Sequence, residues 1–169
     1  MSATATGASI PHAASSRAAR HGRSRTRRSL RPGRLYAALR LAEGDGMRLR
    51  ELPEAEVRQA LAAHRKALAA GDRRLLKNDE RSRISAVEVA GRCLVIKEVP
   101  FRGVARGLVD LVRGSAARRA WLGGHGLIAR GVGAARPLAF VESKRGWLSA
   151  GSTVLLEDLR SLRDACDAG

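Results

Sequence analysis

Lys97 is the residue in this chain whose type and setting point most directly to chemistry. It stands in ISAVEVAGRCLVIKEV, residues 84–99, which reads as two short strands, 84–90 and 93–99, joined at Gly91-Arg92. Side chains alternate along a strand, so Cys93, Val95 and Lys97 share one face while Leu94, Ile96 and Glu98 share the other. An ammonium among apolar neighbours must reach water along its stem or meet an anion, because an unpaired charge near a core is costly. Two readings stand: an edge-strand lysine that discourages strand-to-strand aggregation, or the cation of an anion site. The other reactive side chains carry less. Cys93 and Cys166 show neither metal-ligand spacing nor the density of a disulfide scaffold and read as free thiols. His64 lies on the apolar stripe of a predicted helix, where core or boundary packing competes with a ligand role.

Charge is the second signal. The formal net charge is +16, and residues 1–35 hold eight arginines and no acid while the remainder holds 24 basic and 16 acidic residues. That tail, Arg/Ser/Ala-rich with hardly an aromatic, is expected to be disordered. Its arginines could hold nucleic acid or an anionic membrane surface, or stay solvated; without interleaved aromatics they offer bases no stacking platform. No apolar run is long enough to span a bilayer and the start lacks a compact secretory signal, so a cytoplasmic protein is expected.

The elements that must position Lys97 follow from periodicity. Residues 36–46 are ambiguous, with Gly44-Asp45-Gly46 as a turn signal. Pro53 at a helix start, Glu54 and Glu56 in its first turn, Val57, Leu61, His64 and Leu68 at helical spacing and Gly71 as a stop describe an amphipathic helix. Residues 73–77 form a short strand, NDERSR over 78–83 a polar loop, and the central hairpin follows. Pro100 ends the ladder. A short helix over 101–113 and a second over 116–130, N-capped by Ser115, precede two more strands, 138–142 and 147–159, with Ser143 to Gly146 as their turn. Strands interrupted by a helical insert argue an α+β fold, an antiparallel sheet with helices on one side.

That order, with CLVIK ending at Lys97 on the third strand and VLLEDL ending at Leu159 on the fifth, resembles the small N-terminal lobe of the protein-kinase-like fold. More narrowly, KEVPFRGVARGLVDLVRGSAARRAWLGGHGLIARGVGAARPLAFVE followed by LLEDL is similar to the lipopolysaccharide core kinases of bacteria, which phosphorylate Kdo or heptose. The shared features are a strand lysine before a basic Gly/Arg segment, an ARRAW helix, an RPLA passage and a hairpin running into an acidic hinge. They cover about half the chain. The resemblance divides it into a tail (1–35), an N-terminal helical extension (36–71), the kinase-like lobe (72–159) and a stub of linker (160–169).

The resemblance implies an ATP-dependent phosphotransferase acting on sugar hydroxyls of the lipopolysaccharide core, at the cytoplasmic face of the inner membrane. Lys97 would bind the α/β-phosphates of ATP. Val95, and Val87 roughly opposite it across the Gly91 turn, would cover the adenine. Leu156 would be the gatekeeper, and the Glu157 carbonyl and Leu159 amide would meet the adenine edge. Plain core packing competes with these roles at the apolar positions. Three departures stand against full function: NDERSR has no glycine where a phosphate-covering loop is expected, Ala120 stands where a glutamate should hold the lysine, and no Asp-Phe-Gly or His-Arg-Asp run occurs. The expectation is a nucleotide-binding lobe, inactive alone, whose magnesium and catalytic base would need a C-lobe, with a complementing C-lobe polypeptide as one partner. The basic segment Arg102, Arg106, Arg113, Arg118 and Arg119 would suit an anionic lipid surface, or be a solvated helix face. The alternatives are an anion-binding protein built on the arginine tail and a pseudokinase-like regulatory module.

Overall fold

The computed structural model describes residues 32–145 and 148–159. The arginine tail up to residue 31, Gly146 and Trp147, and the 160–169 stub with Cys166 lie outside the described residues. In chain order the elements are β1 (Tyr36–Leu41), β2 (Gly44–Leu49), α1 (Glu54–Ala70), β3 (Leu75–Asn78), β4 (Arg83–Val89), β5 (Arg92–Pro100), α2 (Val104–Arg113), α3 (Ala116–Ile128), β6 (Pro137–Arg145) and β7 (Leu148–Glu157). The strands make one antiparallel seven-stranded sheet in the order β1-β2-β6-β7-β5-β4-β3. The α+β class expected from the order of elements is therefore observed.

The sheet has two dressed faces. One cross-strand row runs Ser85, Ile96, Leu155, Ala139; the next runs Ile84, Lys97, Val154, Phe140, Met47. Neighbouring rows point to opposite faces. Helix α1 covers the first, since His64 on α1 hydrogen-bonds Ser85 at 2.7 Å. Helix α3 covers the second, where Trp121 packs on Phe140 with ring centroids 5.4 Å apart and the Ala117 N–H donates to Ser152 Oγ at 3.2 Å. Helices on one side only is thus corrected. Leu138, Ala139, Phe140, Val141, Val154 and Leu155 are all buried, and central strands apolar on both faces must be covered on both.

Local chemistry explains the helices. α1 starts after Pro53, carries Glu54 and Glu56 in its first turn and ends at Gly71, whose φ of 60° is left-handed and whose N–H bonds the Ala67 carbonyl. Its buried stripe is Val57, Ala60, Leu61, His64 and Ala67. The Ser115 side chain caps α3 by accepting the Arg118 N–H at 3.1 Å. On that helix Trp121 is fully buried and meets Tyr36 and His125 edge-on, at 5.6 and 4.4 Å between centroids.

Several boundaries move, three of them with consequences for the sheet. Gly44-Asp45-Gly46 is strand, not turn: Leu41 pairs with Gly44, so the loop is Ala42-Glu43. A Cβ on Gly46 would overlap the Phe140 carbonyl oxygen and one on Gly44 that of Glu142, so these glycines let β2 approach β6. Residues 36–71 consequently supply two strands of the common sheet as well as a helix. β6 runs on through Arg145, which takes Ser143 to Arg145 out of the expected turn. The central hairpin turns at Ala90-Gly91, with φ of 51° and 74° and Val89 paired to Arg92, one residue earlier than the Gly91-Arg92 reading. Positive φ at both central residues marks the primed turn that matches strand twist.

Two outcomes follow. Ala90→Asn is expected to raise stability by about 0.5–1 kcal/mol in urea unfolding, because asparagine tolerates left-handed backbone better than alanine; a loss would show that Ala90 is not strained. His125 is pushed down to about 4, first by burial and then by the Arg136 charge. A group whose folded pKa is depressed gives its full stability above the unfolded value and loses it as pH falls toward the folded one. Thermal stability should therefore decline between about pH 6.5 and pH 4, and His125→Phe should flatten that slope; an unchanged slope would contradict it.

Candidate functional site

β5 carries Lys97 in the second of the two cross-strand rows, between Ile84 on one side and Val154 on the other. Directly beside it lies the row Ala86, Val95, Leu156 on the same face. Val95 and Leu156 are half-buried, whereas Lys97 and Cys93 are exposed. α2 and α3 cover this face over Ser152, Val154 and Phe140 but leave its Cys93 to Lys97 end open. Lys97 therefore stands at the border of a helical layer and an open, partly apolar sheet surface. Among the described residues no carboxylate pairs with it. β5 buries Leu94 and Ile96, and the lysine occupies the opposite, wetter face.

Lys97, Val95 and Leu156 are brought together, but Val87 is not. The turn at Ala90-Gly91 registers Val87 with Leu94, so it points to the α1 face and is 4% exposed. A one-residue shift of register exchanges faces; Ala86, not Val87, lies opposite Val95. At the end of β7, Glu157 is half-buried, and its N–H bonds the Arg136 carbonyl at 2.9 Å. The next N–H, of Asp158, bonds the Cys93 carbonyl at 3.2 Å, and Leu159 is exposed. The β7 end is thus tied to both flanking chains, with Leu159 at its open tip.

The β3–β4 loop is closed on itself. Asp79 Oδ1 accepts the N–H of Arg81 at 2.8 Å and of Ser82 at 2.6 Å, and Lys77 Nζ lies 3.1 Å from its other oxygen. The Ser82 N–H and the Lys77 bond hold the Asp79 carboxyl below its usual range. Amides that could grip a phosphate already hold an internal carboxylate. Ala120 is exposed and has no group to orient Lys97; the acid nearest in sequence, Asp110, pairs with Arg119 at 3.3 Å.

On the other face sequence reasoning missed a polar network. His64 Nδ1 lies 2.7 Å from Ser85 Oγ and Nε2 lies 3.2 Å from Glu98 Oε2, with Arg83 3.4 Å from Oε1. The His64 hydrogen bond is the main cause holding the Glu98 carboxyl below its usual range, against desolvation. An ionised Glu98 accepts the Nε2 proton, which leaves Nδ1 facing the Ser85 hydroxyl. Serine, histidine and carboxylate in a row suggest a nucleophilic triad. Ser85 is 0% exposed, so it is a tie between α1 and the sheet. Beside it a pocket of about 180 Å³ is lined by Glu43, Leu61, His64, Arg65, Glu98, Val141, Ser143 and Thr153, with Glu43 paired to Arg65 at 2.6 Å. Among the described residues no cluster of His, Cys, Asp or Glu could hold a metal ion, and no helix is long and apolar enough to cross a membrane. The signal for the network was the lone His64 on an apolar stripe; its partners lie 21 and 34 residues away.

Ser85→Ala is expected to cost about 1–3 kcal/mol in chemical unfolding, since it strands a buried ring nitrogen. A neutral result would mean that water or a neighbour replaces the hydroxyl. No family model, curated protein or solved structure matches this chain.

Proposed function

We propose that this chain is a nucleotide-binding lobe related to the lipopolysaccharide core kinases, whose family activity is ATP-dependent phosphorylation of a sugar hydroxyl on a lipid-linked substrate at the cytoplasmic side of the inner membrane. One observation carries the reading. Lys97 shares an open sheet face with Val95 and Leu156 and has no carboxylate to neutralise it among the described residues. An ammonium beside a half-buried aliphatic shelf suits a ligand with a flat apolar body and a phosphate tail. The adenine lies against Ala86, Val95 and Leu156, its edge toward the Glu157 carbonyl and the Leu159 amide, and the α/β-phosphates reach Lys97.

The described residues do not fit a bound magnesium ion, since among them no carboxylate cluster accompanies Lys97, and no phosphoryl-transfer step is assigned to them. A second reading, a pseudokinase-like module that binds nucleotide without turnover, is favoured by the β3–β4 loop. Its amides are taken by Asp79, and that carboxylate would repel a triphosphate.

Titration of the full chain with a fluorescent ATP analogue tests both. Lys97→Ala is expected to weaken binding by about tenfold or more, equivalent to the loss of one charge-assisted phosphate contact. Val87→Ala should leave affinity unchanged while lowering stability by roughly 2 kcal/mol, as a core truncation does. Asp79→Asn should tighten binding several-fold by removing the competing charge. Affinity indifferent to Lys97→Ala would exclude the nucleotide reading.

A further inference from the structure

α2 exposes a run of its aliphatic residues. At about 100° per residue, Val104, Ala105, Leu108, Val109 and Val112 fall on one arc and Gly107 and Asp110 on the other. On the other side Gly107 is buried and Asp110 is held by Arg119. The apolar arc faces water, with Val104 57%, Leu108 44%, Val109 40% and Val112 87% exposed, and Phe101, just before the helix, at 43%. A soluble helix normally buries its apolar stripe. Such a surface marks an interaction site.

The surroundings select the partner. Arg102, Arg113 and Arg118 are exposed around the arc and have no carboxylate partner among the described residues. The chain as a whole carries +16. A helix with an aliphatic face, a flanking phenylalanine and arginines at its borders is the composition that lies in a bilayer interface, apolar side down, with cations at the headgroup phosphates. We propose that α2 docks the protein on an anionic phospholipid bilayer, Val104, Leu108 and Val112 entering the acyl boundary and Arg102, Arg113 and Arg118 meeting headgroup phosphates. The inference rests on the membrane-side location in the proposed function and adds the element responsible; it does not depend on nucleotide binding.

Co-sedimentation of the full chain with vesicles tests it, comparing phosphatidylcholine containing roughly one-third phosphatidylglycerol with phosphatidylcholine alone. The arginine-rich tail can add salt-sensitive attraction of its own, so each is measured at about 0.1 M and about 0.5 M salt. The wild type is expected to bind the anionic vesicles and to retain part of that binding at the higher salt, because apolar insertion is not screened. Leu108→Asp with Val112→Asp should reduce the partition coefficient by about tenfold or more and abolish the salt-resistant part, leaving the ATP-analogue affinity unchanged. Val112→Ser alone, at the most exposed position of the arc, should give a several-fold reduction should the double variant not fold. Three results would overturn the proposal: variants that bind vesicles as the wild type does, a wild type that does not bind, or concentration-dependent self-association without vesicle binding that the same substitutions abolish, which would assign the face to a second copy of the chain. Loss of nucleotide binding with vesicle binding intact would overturn the nucleotide reading and leave this one standing.

Discussion

The register of β4 against β5 is the constraint on which the candidate site depends. It is set by a turn of only two residues, Ala90 and Gly91, both with positive φ. From there Val89 pairs with Arg92 and every later pair follows, through Ala86 with Val95 to Ile84 with Lys97. β7 adds Leu156 beside Val95 and Val154 beside Lys97. One residue of slip would exchange the faces of a whole strand, removing Ser85 from His64 as well as Val87 from Leu94. The turn therefore determines together which residues surround the lysine and which tie α1 to the sheet.

α1 seals its face by different means from α3. Beneath α1 the contact is an aliphatic stripe plus a buried hydrogen-bonded chain from Ser85 through His64 to Glu98 and Arg83. Such a chain is costly when half-satisfied and specific when complete, so it fixes where along β4 the helix sits. Beneath α3 the contact is aromatic: Trp121 among Tyr36, His125 and Phe140, drawing β1 and β6 together although they are not neighbours in the sheet. The glycines of β2 serve the same junction by letting its backbone approach β6.

Much of this was legible from local pattern. Alternation in CLVIKEV predicts the faces of β5, and Pro53 with Gly71, and Ser115, bracket two helices as observed, because caps and alternation are encoded within a few residues. Val87 was misplaced because the backbone at Ala90 adopts a conformation its side chain does not announce. Gly44 and Gly46 read as a turn because their reason, the Phe140 and Glu142 carbonyls, lies about a hundred residues along the chain. The second dressed face was hidden because a burial pattern along one strand does not say what covers it. The Ser85–His64–Glu98 chain joins three elements, and only the folded register brings them within hydrogen-bonding distance.

The two faces also differ in charge. Around α1 Arg58 pairs with Glu54, Arg65 with Glu43, Arg74 with Asp72 and Arg83 with Glu98, while Lys66 and Arg73 have no ion pair among the described residues. On the α2–α3 side Arg119 has Asp110, while Lys97, Arg102, Arg113 and Arg118 have no such partner among the described residues. These unmatched cations lie on the side that carries both the open lysine row and the outward apolar arc of α2. Exposed charges are felt over about one Debye length, roughly 8–10 Å at physiological salt. On the two proposals, a lipid phosphate and a nucleotide phosphate would meet the same kind of unmatched cation on this side. What separates them is apolar: a flat shelf of Val95 and Leu156 beside the lysine, and a convex aliphatic ridge along α2. On the two proposals, charge would draw anions to this side of the sheet and the adjoining apolar surface would decide which of them stays.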